Sequence, residues 1–356
     1  MEYHREGNRF LTIENEKLRL TFWLNKGADL IELRHKSSDL DVLWHAPLPV
    51  RKPGDYIAPI SSGGGAFFDY YPGGWQEVFP NAHSPTNDYK KAPLGLHGEV
   101  CLLPWTFHVE EDRVEHLRIR LEVETSRTPF RLKKTIEIFH DQLWFYLHET
   151  IINVGQEEMD YNWGHHPTFG APLLAEGSIV DVPEGSTMVT PDYVYSATAR
   201  YAQGQRKRWP IATDVRGAEV NAAHVVSRET GTSDSFHLEM SEGWVTLRNP
   251  NLNLGIGLAW DIEQFPYMWC WQGYCGNKGY PFYGRNYNIA LEPFTNPIGT
   301  LPESIAAGHS RVLHPSESVS TTLRVGFTRG DLPLRRIQVD NGETYESKKN
   351  GKEERI

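Results

Sequence analysis

The sequence is poor in cysteine, in clustered basic residues, in long apolar runs and in helical stripes, and each shortage narrows its function. Three cysteines among 356 residues, Cys101, Cys270 and Cys275, form an odd set without metal-type spacing. They read as buried or free thiols of a reducing compartment, with neither a disulfide framework nor a zinc site. No run of Lys or Arg interleaves with aromatic residues, and 36 basic residues against 46 acidic ones give a net charge of −10. Nucleic acid is therefore not an expected partner. No apolar stretch approaches the length of a membrane span, and Met1 to Arg9 is polar and charged, unlike a signal peptide core. The expectation is a cytoplasmic protein without a membrane partner. Convincing stripes at i, i+3, i+4 and i+7 are missing from any long window, so helices should be few and short.

Aromatic residues, by contrast, are plentiful: 11 Trp, 16 Tyr and 15 Phe. They suit strands, and their flat faces stack on sugar C–H surfaces. Period-two alternation dominates. Leu18, Leu20, Phe22 and Leu24 alternate with Arg19, Thr21 and Trp23, and Leu117, Ile119, Leu121 and Val123 alternate with Arg118, Arg120 and Glu122. Leu132 to Phe139 and Leu143 to Ile152 flank His140-Asp141-Gln142 as a hairpin. Trp244 to Arg248 and Leu254 to Trp260 flank Asn249 to Asn253 as another, and Ser318 to Gly326 reads as a closing strand. Many strands in even succession predict an all-β, large antiparallel β-sandwich. One domain should span 10–328, followed by a charged tail over 329–356 that frays from about Asp340.

Residues 54–96 stand apart, crowded with Gly, Pro, Tyr and Asn, including Ser61-Ser62-Gly63-Gly64-Gly65 and Pro72-Gly73-Gly74-Trp75. A long segment of this kind in a compact chain is functional or disordered, and its aromatic content favours function.

Three local motifs carry chemistry. In Asn162-Trp163-Gly164-His165-His166-Pro167-Thr168-Phe169 the two histidines point to opposite faces of a strand, so one is a core residue and at most one faces a given cleft. Pro167 holds His166 in extended geometry. In Gly95-Leu96-His97-Gly98-Glu99 the glycines allow positive φ or close backbone approach. In Asn286-Tyr287-Asn288-Ile289-Ala290-Leu291-Glu292-Pro293 alternation gathers Asn286, Asn288, Ala290 and Glu292 on one face. Each motif alone has a bland reading: a hydrogen-bonded core histidine, an ordinary turn, a solvated glutamate. Together they deliver polar groups from separate strands or turns, as acid–base chemistry on a carbohydrate requires.

At these residues the sequence resembles the aldose 1-epimerase (galactose mutarotase) family over about residues 10 to 328. The resemblance rests on His97 in Leu-His-Gly-Glu, His166 in His-Pro-Thr-Phe, Glu292 in Leu-Glu-Pro, and their order. Gly231-Thr232-Ser233-Asp234-Ser235-Phe236 is similar to the stretch carrying the family's substrate-binding Asp, here Asp234. Asn25 to Ile31 resembles the family's first glycine-containing turn. The sequence departs from the family in three places. The usual Asn-Arg-Ile segment, whose Arg contacts sugar, is replaced by Pro72 to Asn81 with Trp75, Glu77 and Asn81. Glu99 stands for a Gly, and Thr168 for a Tyr. The sugar is thereby left open.

The resemblance implies a galactose mutarotase-like sandwich and interconversion of α and β anomers of an aldose or sugar derivative. Glu292 would act as base on the anomeric hydroxyl and His166 as acid on the ring oxygen, with His97 beside the ring oxygen. Asp234, Glu77 and Asn81 are substrate-binding candidates, and Trp75, Trp163 and Trp271 are candidates for stacking, each equally suited to core packing. No cofactor or metal is implied, and the partner is a small-molecule sugar bound to a monomer or homodimer. Two other classes compete. One is a cupin-like, metal-dependent sugar isomerase with His97, Glu99, His165 and His166 as ligands, which face alternation disfavours. The other is a non-catalytic carbohydrate-binding protein on the same fold.

Overall fold

The computed structural model describes residues 1–48, 50–51, 54, 65–337, 344–347 and 353–355. Part of the Ser61-to-Gly65 run and part of the charged tail thus lie outside the described residues. Two large antiparallel sheets dominate, one of 12 strands and one of 8. The larger runs from the N-terminal hairpin through Leu18–Trp23, Asp29–His35 and Trp75–Val78 to Gly164–Gly170, Tyr287–Phe294, Tyr267–Tyr274 and Thr232–Glu239. The smaller centres on Phe130–Phe139, Trp144–Asn153, Ser318–Thr328 and Leu254–Trp260. This is the expected β-sandwich, and the predicted hairpins lie in it. Phe130–Phe139 pairs with Trp144–Asn153, and Trp244–Asn249 with Leu254–Trp260.

Alternation explains the layering. Ile119, Leu121 and Val123 are buried between the sheets while Arg118 and Arg120 turn outward to Glu110. Phe145, Leu147 and Ile151 do the same on the neighbouring hairpin. The main apolar cluster joins residues of both sheets, including Leu20, Phe79, Phe130, Ile136 and Phe236.

Helices are short. Leu301–Ala307 is started by a capping box, Thr300 with Glu303, and stopped by Gly308 at φ 72°. None of the described helices is long and apolar enough to cross a membrane. Cys101, Cys270 and Cys275 are all free thiols. Beyond residue 328 the described segments Leu334–Ile337, Thr344–Ser347 and Glu353–Arg355 form a three-stranded sheet, and Leu334 and Ile337 pack on Trp144 and Trp244.

Candidate active site

The Gly164–Gly170 strand sits mid-sheet between Trp75–Val78 and Tyr287–Phe294. Its alternation separates the two histidines as the sequence requires. His166 faces a cavity of about 300 Å³ that His97, Trp271 and Glu292 also line. Phe67, Tyr71, Tyr195 and Phe282 complete much of the wall. That volume is at the lower end of ligand pockets, which run to about 1,000 Å³.

Glu292 reaches the cavity because Tyr287–Phe294 pairs with Gly164–Gly170 at Thr168↔Ala290, which sets His166 and Glu292 on the same face. His166 Nε2 lies 3.7 Å from Glu292 Oε1. That is too far for a direct hydrogen bond, so neither group is tied up by the other. The other ring nitrogen, Nδ1, is 3.1 Å from Thr168 Oγ1, which is in turn 3.1 Å from the Tyr71 hydroxyl. Thr168 and Tyr71 therefore fix the imidazole from behind. The motif drew attention to Thr168 as a departure, whereas nothing in the sequence tied Tyr71 to it.

Burial sets the charge states. Glu292 is 3% exposed, and desolvation pushes its pKa well above the ordinary carboxylate value. The same effect, helped by the Lys26 ammonium, lowers His166 to about 4. His97 is also held well below an ordinary histidine, by burial and then by His166, His83 and Lys26. Burial thus disfavours charge on both members of the pair, pushing Glu292 up and His166 down.

His97 arrives on a strained turn. Its φ is +60° and that of Gly98 is +80°, and a Cβ at Gly98 would lie 2.1 Å from the Phe79 carbonyl oxygen. Only glycine fits there. Asn81 ties down the same region: its amide donates to Ser84 and Gly95 carbonyls, and its Oδ1 accepts from the Leu301 N–H. Asn81 is thus an anchor outside the cavity wall.

Trp75, Glu77 and Trp163 are not brought together with the His166–Glu292 cavity. They stand on the opposite face of the sheet, where Trp75 packs edge-on to His165 and the Trp163 indole N–H donates to Glu77. On that strand the residue opposite His166 is Gln76. Gln76 donates to Asp29, and Asp29 pairs with the fully buried Lys26 at 2.5 Å. Burial raises Asp29 to about 6 against the pull of Lys26. Lys26, in the Asn25-to-Ile31 turn, supplies a buried cation that acts on both cavity histidines. Asp234 also turns away: Ser235 lines the cavity, while Asp234 Oδ1 accepts from the Arg200 and Tyr201 N–H groups at 2.8 and 3.1 Å.

His165 belongs to an ionic cluster between the sheets. Its Nε2 is 3.0 Å from Glu149 Oε2, and Lys134 Nζ lies 2.5 Å from Glu77 and 3.3 Å from Glu149. Burial opposes charge on His165, but Glu149 and Glu77 outweigh it and raise its pKa. Ligand atoms of Glu77, Glu149 and His165 lie within 4.8 Å of one another, a spacing a metal ion would accept. The Lys134 ammonium already supplies the positive charge at that point. The set His97, Glu99, His165 and His166 does not converge, because His165 faces the core and Glu99 accepts backbone N–H groups of Ser126, Arg127 and Thr128.

Comparison with known proteins agrees with this architecture. Residues 5–327 match the family described as Domain of unknown function (DUF4432). The chain belongs to that family. No curated protein matches it. Among solved structures it is similar to a Klebsiella pneumoniae protein provisionally named an aldose 1-epimerase, with TM-score 0.70 and 18% identity over 92% of this chain and 82% of that one. A galactose mutarotase-like protein from Clostridium acetobutylicum gives TM-score 0.62 and 14% identity over 92% and 98%. Another from Lactobacillus casei gives 0.54 and 20% over 90% and 100%. At such identities the likeness establishes the fold, the galactose mutarotase-like sandwich that the spaced motifs imply.

Proposed function

We propose that this family member interconverts the α and β anomers of an aldose or aldose derivative, with His166 and Glu292 as the acid–base pair. The observation that carries the reading is their 3.7 Å separation across one face of a small, aromatic-walled cavity. Ring opening needs a proton taken from the anomeric hydroxyl and a proton given to the ring oxygen, two oxygens bonded to the same carbon, C1. The C1–O5 bond then breaks to the open-chain aldehyde, C1–C2 rotates, and reclosure reverses both transfers.

Glu292 acts as base and His166 as acid. Burial favours the protonated form of Glu292, and sugar hydroxyls entering the site restore the solvation that the carboxylate lacks. The proton then resides on His166, whose orientation Thr168 and Tyr71 hold. Each positioned proton-transfer group contributes typically about 10²–10⁴-fold. His97 lines the same cavity and hydrogen-bonds near the ring oxygen, and Trp271 offers a face for the ring. Asn81 supports the site by anchoring the chain beside the His97 turn, and Glu77, Trp75 and Trp163 support it from behind the sheet, around His165. The reaction requires neither redox nor a strong nucleophile and so no cofactor.

Polarimetry on freshly dissolved aldoses tests the reading. The wild-type protein should accelerate mutarotation of at least one sugar, and His166→Asn should remove most of that acceleration. A sugar that binds in the cavity without any rate change would favour the carbohydrate-binding alternative.

A further inference from the structure

A second cavity, of about 450 Å³, opens beside the first and shares two walls with it, Tyr195 and Ser235. It exists because the large sheet is incomplete there. Thr187–Val189 pairs with the Thr232–Glu239 strand only at His237, Leu238 and Glu239, and the chain from 190 to 203 then leaves the sheet as an irregular loop. That loop stands off the strand and encloses the space between, with Pro191, Val194, Ala197 and Ala199 among its lining. The loop is held in place. The Ser233 N–H donates to the Thr198 carbonyl, and Asp234 Oδ1 accepts from two loop N–H groups.

The floor carries a built polar point. Asp234 lines the cavity, is 3% exposed, and its second oxygen, Oδ2, has no hydrogen-bond partner among the described residues. A buried carboxylate oxygen left unpaired is costly. Desolvation accordingly raises Asp234 to about 7, and a ligand hydroxyl donating to Oδ2 would offset the cost. Around this point the walls are mainly apolar and aromatic, with Ser196, Gln203 and Ser235 among them and Tyr193 and Val194 exposed at the rim at 51% and 68%. A buried acceptor and a few polar side chains among apolar faces suit a sugar ring, with hydroxyls on its edge and C–H groups on its face.

We propose that this cavity is a second sugar subsite, so that the protein takes a reducing disaccharide, its reducing ring beside His166 and Glu292 and its second ring on Asp234. The placement of the reducing ring rests on the proposed anomer interconversion; the second subsite does not.

Saturation-transfer NMR and calorimetry with maltose, cellobiose and lactose, against glucose and galactose, test it. For at least one disaccharide, protons of the non-reducing ring should saturate and affinity should exceed that of its parent monosaccharides by about tenfold or more, as one hydrogen bond to a charged group supplies. Ala197→Trp, at the exposed rim, should remove that gain and leave monosaccharide affinity unchanged. Asp234→Asn, nearly isosteric, should reduce the gain. Equal affinity for every disaccharide and its parents, or a gain that Ala197→Trp leaves intact, would overturn the subsite. Preferential disaccharide binding without anomer exchange would instead retain the subsite and refute the proposed reaction.

Discussion

His165 and His166 are neighbours in sequence whose Nε2 atoms meet glutamates on opposite faces of one sheet, Glu149 at 3.0 Å and Glu292 at 3.7 Å. The first pair lies between the sheets with the Lys134 ammonium beside it, and the second faces a cavity. The same side chains therefore have opposite tendencies: His165 is pushed toward its charged form and His166 away from it.

The core cluster should behave as a stability element. Lys134 is the cation that both Glu77 and Glu149 need, and all three are nearly inaccessible. Lys134→Met should cost about 3–5 kcal/mol, the penalty for leaving buried charges unpaired. Urea denaturation followed by tryptophan fluorescence reads this directly, and a loss under about 1 kcal/mol would mean that the cluster is not ionic.

The cavity pair should give activity a plateau bounded by the two groups of the pair. Exchange needs one proton on the pair: below the His166 value of about 4 both groups are protonated and the base is lost. Above the raised pKa of Glu292 neither holds a proton and the acid is lost. The acid limb of kcat/KM should thus fall near pH 4, with the alkaline limb well above the ordinary carboxylate range. An acid limb near pH 6.5 would indicate that His166 is charged in the free protein.

Trp271 stands in the cavity wall against Trp44 and Phe282. Trp271→Ala removes the ring face proposed to meet the sugar and should raise KM by about two- to tenfold, with kcat changed less. Steady-state kinetics with a thermal melt as folding control separates this from a packing defect.

Gly98→Ala tests how the His97 turn is built. The added methyl would clash with the Phe79 carbonyl at 2.1 Å in a backbone already at φ +80°. A loss of more than about 1 kcal/mol in stability is expected, accompanied by lower activity because His97 is displaced.

Much of this is legible in the residues, and the candidates that stand away from the cavity share a cause. Alternation located the long hairpins, and it separated His165 from His166 because a strand has only two faces. It could not say which face of the Trp75–Val78 strand meets the cavity, so Trp75 and Glu77 were favoured where Gln76 stands opposite His166. A one-residue step likewise exchanges Asp234 for Ser235 at the cavity wall. Register is a tertiary property, set by neighbouring strands that lie far away in sequence. Lys26 and Asp29 were hidden for another reason: a charged pair in a turn reads as surface until the chain buries it. The 54–96 stretch, marked as functional by its aromatics, contributes Phe67, Tyr71 and His83 to the cavity wall, although residues 55–64 are not among those described.

The proposed reaction depends on Glu292. Two-dimensional exchange NMR on an accepted aldose measures anomer interconversion at equilibrium, free of any coupling enzyme. Glu292→Gln preserves size and removes the proton-accepting oxygen, so the exchange rate should fall by at least about 10²-fold while the sugar still binds. Exchange that continues at the wild-type rate in Glu292→Gln would contradict the proposed acid–base pair.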